Sequence, residues 1–324
     1  MYQKHRIKRV ISVLAILVMI VTAVMVSPAG ETGEVYAAKS GSKAKQRTAS
    51  MTLITQNGEA FDFRAAAGQK LYGYDTLQGA CANGGFAYLT LYNRLVENCK
   101  IVKVNLATLK VVKVSDALPV YHANNLTYNT KKNLILATCC RIKGKRAVFI
   151  DPVSLKVVSV RDIKLTKKVK NLPKSVRRKY KGFTAIAYNE KKNCYVGRLR
   201  GNNNVIIFNG NLKPVRYVKL KGKKTGLLNQ GMDSVGNYIY DVRSFKGKYK
   251  YSMVTVHTLS GKFIGQVKFP YGKAPGDELQ CIFHDGGKFY AGIYYTTSQI
   301  HDYAKYSVNR TNKLYRLNNM FGGK

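Results

Sequence analysis

From residue 51 onward the apolar residues fall in short runs separated by turns rich in Gly, Asn, Asp and Pro, a spacing that predicts strands rather than helices. The runs are not independent of one another. The stretch Gln78-Gly79-Ala80-Cys81-Ala82-Asn83-Gly84-Gly85-Phe86-Ala87-Tyr88 recurs in form from Asn124 to Leu136, from Thr184 to Val196, from Gln230 to Tyr240 and from Gln280 to Tyr290. Matched residues Ala80, Leu126, Ile186, Met232 and Cys281 stand 46, 60, 46 and 49 positions apart. Each copy continues into a second pair of apolar runs: 100–106 with 109–114, 146–150 with 155–160, 205–208 with 215–220, and 253–256 with 263–267. Between them lie Asp151-Pro152-Val153-Ser154, Asn209-Gly210-Asn211 and Ser260-Gly261, whose backbones suit tight hairpins. Four strands per repeat follow.

A repeat of this length that holds four strands is the signature of a propeller blade. The expectation is therefore an all-β chain folded as a five-bladed β-propeller over residues 51–324, with four-stranded blades. The fifth copy is short of one strand, because after 313–317 only 318–324 remains. The run 51–55 is a strand without a blade, and it is expected to complete the last blade and leave no open edge there. Residues 58–77 leave room for a further short blade, and the longest interval holds an insertion in which 173–180 suits a turn or two of helix.

The N-terminus follows another pattern. Lys4, Arg6, Lys8 and Arg9 precede an apolar run, 10–26, and Val35 and Ala37 suit a cleavage groove, so residues 1–37 read as a signal peptide and the mature chain as secreted. The run is also long enough to serve as an uncleaved anchor. No later run is expected to span a bilayer, no lipoprotein cysteine follows, and 320–324 carries no sorting signal. Residues 38–50 are small, polar and basic, and are expected to form a flexible leader.

Charge changes the picture of the partners. The chain carries 55 Lys and Arg against 16 Asp and Glu, a net +39. Removing the signal peptide takes away four basic and two acidic residues and leaves +37. Such an excess favours polyanions, here an anionic cell-envelope polymer or an acidic glycan, with retention at the cell surface by charge. The densest cluster lies in the insertion 164–181, where Lys167, Lys168, Lys170, Lys174, Arg177, Arg178 and Lys179 occur without an acid, as if on a projecting loop that binds phosphate- or sulfate-bearing polymers.

Six cysteines, Cys81, Cys99, Cys139, Cys140, Cys194 and Cys281, are compatible with export and disulfides, but Cys81, Cys194 and Cys281 sit in apolar strand stretches that also suit buried thiols. Their spacing matches no zinc site, and no metal is expected. No G-x-S-x-G, H-E-x-x-H, P-loop or dinucleotide fingerprint occurs, so no cofactor, nucleotide included, is implied. The twenty-three tyrosines read as half-buried sheet residues or as stacking platforms.

In a propeller the innermost strands line a central channel. Polar residues in or just before those strands are Gln78, His122, Asn124, Asn125, Gln230, Asp233, Gln280 and His284, a candidate ligand-binding rim. They equally suit structural ties between blades. Should the protein be an enzyme, His122, Asp233 and His284 are the candidate catalytic groups. A single inner-strand carboxylate is thin support for glycoside hydrolysis, whereas histidines, tyrosines and cations suit a polysaccharide lyase.

Blades of the form Asn125-Leu126-Thr127-Tyr128-Asn129, then Asn133-Leu134-Ile135-Leu136, ending in Asp151-Pro152 and Ser154-Leu155-Lys156-Val157, resemble secreted bacterial propellers of the YncE-like and NHL-like kind. The Gln-Gly pairs at 78–79 and 230–231 are similar to the inner strands of five-bladed glutaminyl cyclotransferases, though the acidic catalytic residue of that family has no clear counterpart. That similarity implies cyclisation of N-terminal glutamine. The leading expectation is a monomeric, non-enzymatic, carbohydrate-binding propeller of the cell envelope. The alternatives are a lyase, a hydrolase or a cyclotransferase-like enzyme.

Overall fold

The computed structural model describes residues 45–139, 144–222, 227–244, 251–269, 278–296 and 310–321. The predicted signal peptide 1–37, the first part of the leader and Cys140 lie outside them. All described residues belong to the contact unit 35–324. Two short N-terminal strands, β1 (Lys45–Thr48) and β2 (Ser50–Leu53), precede a small hairpin of β3 (Thr55–Gln56) and β4 (Glu59–Ala60), turned through Asn57 and Gly58 at positive φ. Five blades follow in sequence order.

Blade one is β5 (Thr76–Asn83), β6 (Phe86–Asn93), β7 (Asn98–Asn105) and β8 (Val111–Val114). Blade two is β9 (Leu126–Asn129), β10 (Leu134–Thr138), β11 (Arg146–Ile150) and β12 (Val157–Asp162). Blade three comprises β13 (Phe183–Asn189), β14 (Cys194–Leu199), β15 (Val205–Asn209) and β16 (Pro214–Val218). Blade four comprises β17 (Leu228–Val235), β18 (Tyr238–Ser244), β19 (Ser252–Thr258) and β20 (Phe263–Phe269). Blade five holds β21 (Glu278–Asp285), β22 (Lys288–Thr296) and β23 (Arg310–Asn318), with β2 as its outer strand. The predicted five-bladed, nearly all-β architecture is present, and so is its closure. Met51 pairs with Leu317 in the antiparallel β2–β23 ladder.

The leader departs from expectation. Its second half is β1, which adds to the outer edge of blade four in parallel, Arg47 opposite Val267, and makes that blade five-stranded. Addition to a sheet edge needs only backbone N–H and C=O groups, so a polar, basic sequence can supply it. Ala49, buried between the two strands, donates its N–H to the Lys268 carbonyl at 3.1 Å, and the Arg47 guanidinium lies 4.4 Å over the Phe321 ring. Residues 45–53 thus run continuously from blade four to blade five.

The interval 58–77 holds no blade. It forms the end of the β3–β4 hairpin, a short helix (Phe63–Ala67) capped by Asp62, and a 3-10 turn (Gly68–Leu71). Phe61, Phe63 and Leu71 bury themselves against Leu89, Val102 and Val104 of blade one. At roughly 25 cal/mol per Å² of apolar area removed from water, each such side chain contributes about 1.5–3 kcal/mol.

The repeated Tyr-Asn-x-x-x-Asn pattern ties blade to blade. Asn133 and Asn193 take positive φ in the hairpin turns, and the hydroxyl of Tyr188 donates to Asn193 at 2.9 Å. Asn189 meanwhile caps the Lys192 N–H and donates from Nδ2 to Ser234 Oγ and the Gly236 carbonyl of blade four, both at 2.9 Å. The outer hairpins close as their sequences predict. Asp151 accepts from Val153 and Ser154, and Asn209 from Asn211 and Lys213.

Cys81, Cys99 and Cys281 are buried free thiols, Cys194 is a half-buried one, and Cys139 is buried. Among the described residues no helix is long and apolar enough to cross a membrane.

Candidate functional site

Along an inner strand each residue advances about 3.3 Å, so position in the strand decides which mouth of the channel a side chain serves. Gln78, Gln230, Gln280 and the half-buried Glu278 lie in the first half of their strands, at the leading mouth. Asp233 and His284 lie in the last part of β17 and β21, at the mouth where the inner strands turn into their hairpins. The eight predicted rim residues therefore form no single ring.

Between the mouths stands Asn125. Its Nδ2 donates to the Ile186 carbonyl of blade three at 2.9 Å, and its Oδ1 accepts from the Met232 N–H of blade four at 2.8 Å. The fully buried amide spans the axis and acts as a tie. Glycine permits this approach. A Cβ at Gly79 would meet the Asn125 backbone at 2.9 Å, and one at Gly231 would meet Asn125 Oδ1 at 3.0 Å. The Gln-Gly pairs singled out in the sequence mark strand irregularities: the β5–β6 register shifts between Leu77 and Ala80, and the β17–β18 register between Asn229 and Met232.

At the leading mouth a chain of side-chain hydrogen bonds runs from His122 Nδ1 to Asn124 Oδ1, from Asn124 Nδ2 to Gln230 Oε1 (3.4 Å) and from Gln230 Nε2 to Glu278 Oε2 (3.0 Å). Gln280 Nε2 donates to the same carboxylate oxygen at 2.5 Å. The buried Oε1 atoms of Gln78 and Gln280 have no hydrogen-bond partner among the described residues. The His122 ring packs edge-on against Tyr92, which keeps it away from Asp233 and His284. The expected trio of His122, Asp233 and His284 is therefore divided between the two mouths.

The hairpin mouth opens on a cavity of about 310 Å³ lined by all five inner strands or the turns that follow them. Asp233, Asp285 and Glu190 supply carboxylates, Tyr128 and Tyr188 supply rings, and among the described residues no Lys or Arg lines it. His284 Nδ1 lies 2.7 Å from Asp233 Oδ2. Burial alone would lower the imidazole pKa. The Asp233 carboxylate, helped by Glu190 and Asp285, outweighs burial and raises it. Asp285 also accepts the Gly85 N–H at 2.8 Å, joining blades five and one. Glu190 and Asp285 were not legible as site residues. Their signal was the position at the end of the inner strand, Asp285 as its last residue and Glu190 as the residue after it.

The cationic insertion is docked rather than projecting. Ile163 and Val169 are buried and Leu172, Val176 and Tyr180 half-buried in the core shared by blades two and three, and Lys170 forms a parallel bridge with Arg216 at the outer strand of blade three. The apolar residues interleaved with the lysines supply that anchorage. The short helix Lys174–Arg178 is present as predicted. Lys167, Lys168, Lys170, Lys174, Arg178 and Lys179 remain exposed, and Arg177 is half-buried.

No protein-family model matches the chain, and no curated protein matches it in sequence. Solved structures do match in fold. The glutaminyl cyclase of Myxococcus xanthus aligns with a TM-score of 0.53 at 10% identity, over 84% of this chain and 97% of that one. A member of the DUF4221 family from Bacteroides vulgatus aligns with a TM-score of 0.45 at 13% identity, over 85% and 99% of the two chains. At such identity the likeness shows the propeller fold alone.

Proposed function

We propose that this protein is an exported binding protein whose hairpin mouth takes the cationic, amine-bearing end of a ligand, while its basic outer surface holds it to an anionic envelope polymer or acidic glycan. The observation that carries the first half is the inverted charge of the cavity. Three of the chain's few carboxylates, Asp233, Glu190 and Asp285, surround it without a lysine or arginine among its described lining residues. A low-dielectric cleft lined by one sign of charge attracts the other. It also repels a uronate chain, which disfavours a lyase acting on acidic polysaccharide at this mouth. The polyanion reading thus belongs to the exposed cations of 164–181 and the rest of the outer surface.

Calorimetric titration with a short peptide bearing a free N-terminus, beside the same peptide acetylated, tests the cavity. The free amine should bind about tenfold or more tightly, and Asp233→Asn and Glu190→Gln should each weaken it. Equal affinity for the two peptides would refute the reading. Retention on heparin that falls with salt tests the surface, and salt-insensitive or absent retention would refute that half.

The His284–Asp233 pair favours a second reading, cyclisation of N-terminal glutamine, to which the fold of the M. xanthus enzyme is similar. The α-amine would attack the γ-amide carbon, a neighbouring carboxylate would take the proton, and protonated His284 would hand a proton to the leaving amide nitrogen as the C–N bond breaks and ammonia departs. Release of ammonia from a glutaminyl peptide, lost in His284→Gln, would replace the binding reading by this one.

A further inference from the structure

The seam between blades three and four holds a buried ionic group. Arg198 of β14 is fully buried, donates to Asp241 of β18 and to the Gln230 carbonyl, and reaches Thr184 Oγ1 at 2.8 Å. Arg243, two residues on from Asp241 and on the same face of β18, also donates to Asp241 and bonds Asn203 Oδ1 at 3.0 Å. Two buried guanidiniums thus share one carboxylate. These three side chains together carry a net positive charge.

Directly over this seam lies a cavity of about 610 Å³. Blade three lines it with the turn 201–204 and with Lys219 and Lys221, and blade four with Arg243, His257 and Phe263. Among the described lining residues there is no acidic side chain. Two buried polar atoms of these lining residues have no hydrogen-bond partner among the described residues: Arg243 Nε, a donor, and His257 Nδ1. Both residues are only 5% exposed. His257 Nε2 lies 2.9 Å from the Lys221 carbonyl, which can only accept, so the Nε2 carries the proton. Burial, the largest influence, together with Arg243, lowers the imidazole pKa against the pull of Asp241 and the carbonyl, so Nδ1 presents a lone pair. A buried donor and acceptor left unpaired each cost free energy that a bound molecule can recover.

The geometry points to a ligand site in the blade three–four seam for a hydroxylated carboxylate, the chemistry of a hexuronate or a small hydroxy acid. Its carboxylate meets Arg243, Lys219 and Lys221, a hydroxyl donates to His257 Nδ1, and its apolar face lies against Phe263. This site shares no lining residue with the hairpin mouth, so its failure leaves the reading of that mouth standing.

Titration calorimetry at low salt with D-glucuronate, lactate, D-glucose and acetate tests it. Glucuronate or lactate should bind about tenfold or more tightly than both glucose, which lacks the charge, and acetate, which lacks the hydroxyl. The stronger of the two names the source. Lys219 and Lys221 are exposed, so the double variant Lys219→Ala/Lys221→Ala should keep the wild-type melting temperature while binding severalfold more weakly. His257→Phe should erase the preference over acetate. Glu59→Gln, on the exposed β3–β4 hairpin, should change nothing. Equal binding of glucose or acetate, wild-type affinity in the double variant, or loss in Glu59→Gln would each overturn the proposal.

Discussion

Arg198 of blade three donates a hydrogen bond to Asp241 of blade four, and neither side chain exposes any surface to solvent. Burial alone would raise the Asp241 carboxyl pKa, and Arg198 and then Arg243 outweigh it and hold the carboxylate ionised. Asp241→Asn leaves two guanidiniums buried without a counter-charge. A loss of roughly 3–5 kcal/mol is expected in urea unfolding. A loss comparable to that of an exposed substitution such as Glu59→Gln would show that water reaches the seam.

Deletion of residues 45–53 removes β1 and β2 together and bares the outer edges of blades four and five. Scanning calorimetry should show a fall of several degrees, since each kcal/mol is worth roughly 2–4 °C in a domain of this size. A melting temperature within a degree of wild type would contradict the pairing of Met51 with Leu317.

His284 titrates above its ordinary value in the folded chain, so the folded state binds its proton more tightly than the unfolded one. Its stabilisation is complete below about pH 6.5 and is lost as the pH rises through the folded value. His257 has a lowered pKa and acts with the opposite sign, its stabilisation being lost as the pH falls. The informative quantity is therefore the difference between wild type and His284→Gln. That difference should be larger at pH 6 than at pH 9, and a constant difference would show that His284 and Asp233 do not pair as ions.

Burial pushes the thiols of Cys99 and Cys281 up to about 12, and that of Cys81 well above its usual value. At pH 8 only about one thiol in 10⁴ with such a pKa is thiolate. Peptide mass mapping should find these three unmodified by iodoacetamide in the folded protein and fully modified in urea. The half-buried Cys194 should react sooner.

The ring was legible because its information is local and repeated. The period through Ala80, Leu126, Ile186, Met232 and Cys281, with Asx turns such as Asp151 and Asn209, fixed blade number and hairpins. The surplus strand at 51–55 disclosed the closure. β1 was not legible, because Lys45–Thr48 pairs through backbone groups that no composition reveals. Inner-strand polarity picked out Gln78, Gln230 and Gln280, but one rim was expected where the strands carry residues to two mouths. Arg198, Asp241 and Arg243 each read as an ordinary polar strand position. The Arg198–Asp241 pairing crosses a blade boundary, and the i, i+2 spacing of Asp241 and Arg243 is shared by any two same-face strand residues.

The segment 45–53 also orders events in time. It is among the first parts of the fold to be synthesised, yet Leu317, the partner of Met51, is among the last, so the closing ladder forms only after every blade has been made. Until then β2 waits unpaired and the edge of β23 does not exist. A chain that stalls before residue 310 can build four blades and pair β1 with β20, yet β2 has no strand to join and the ring stays open.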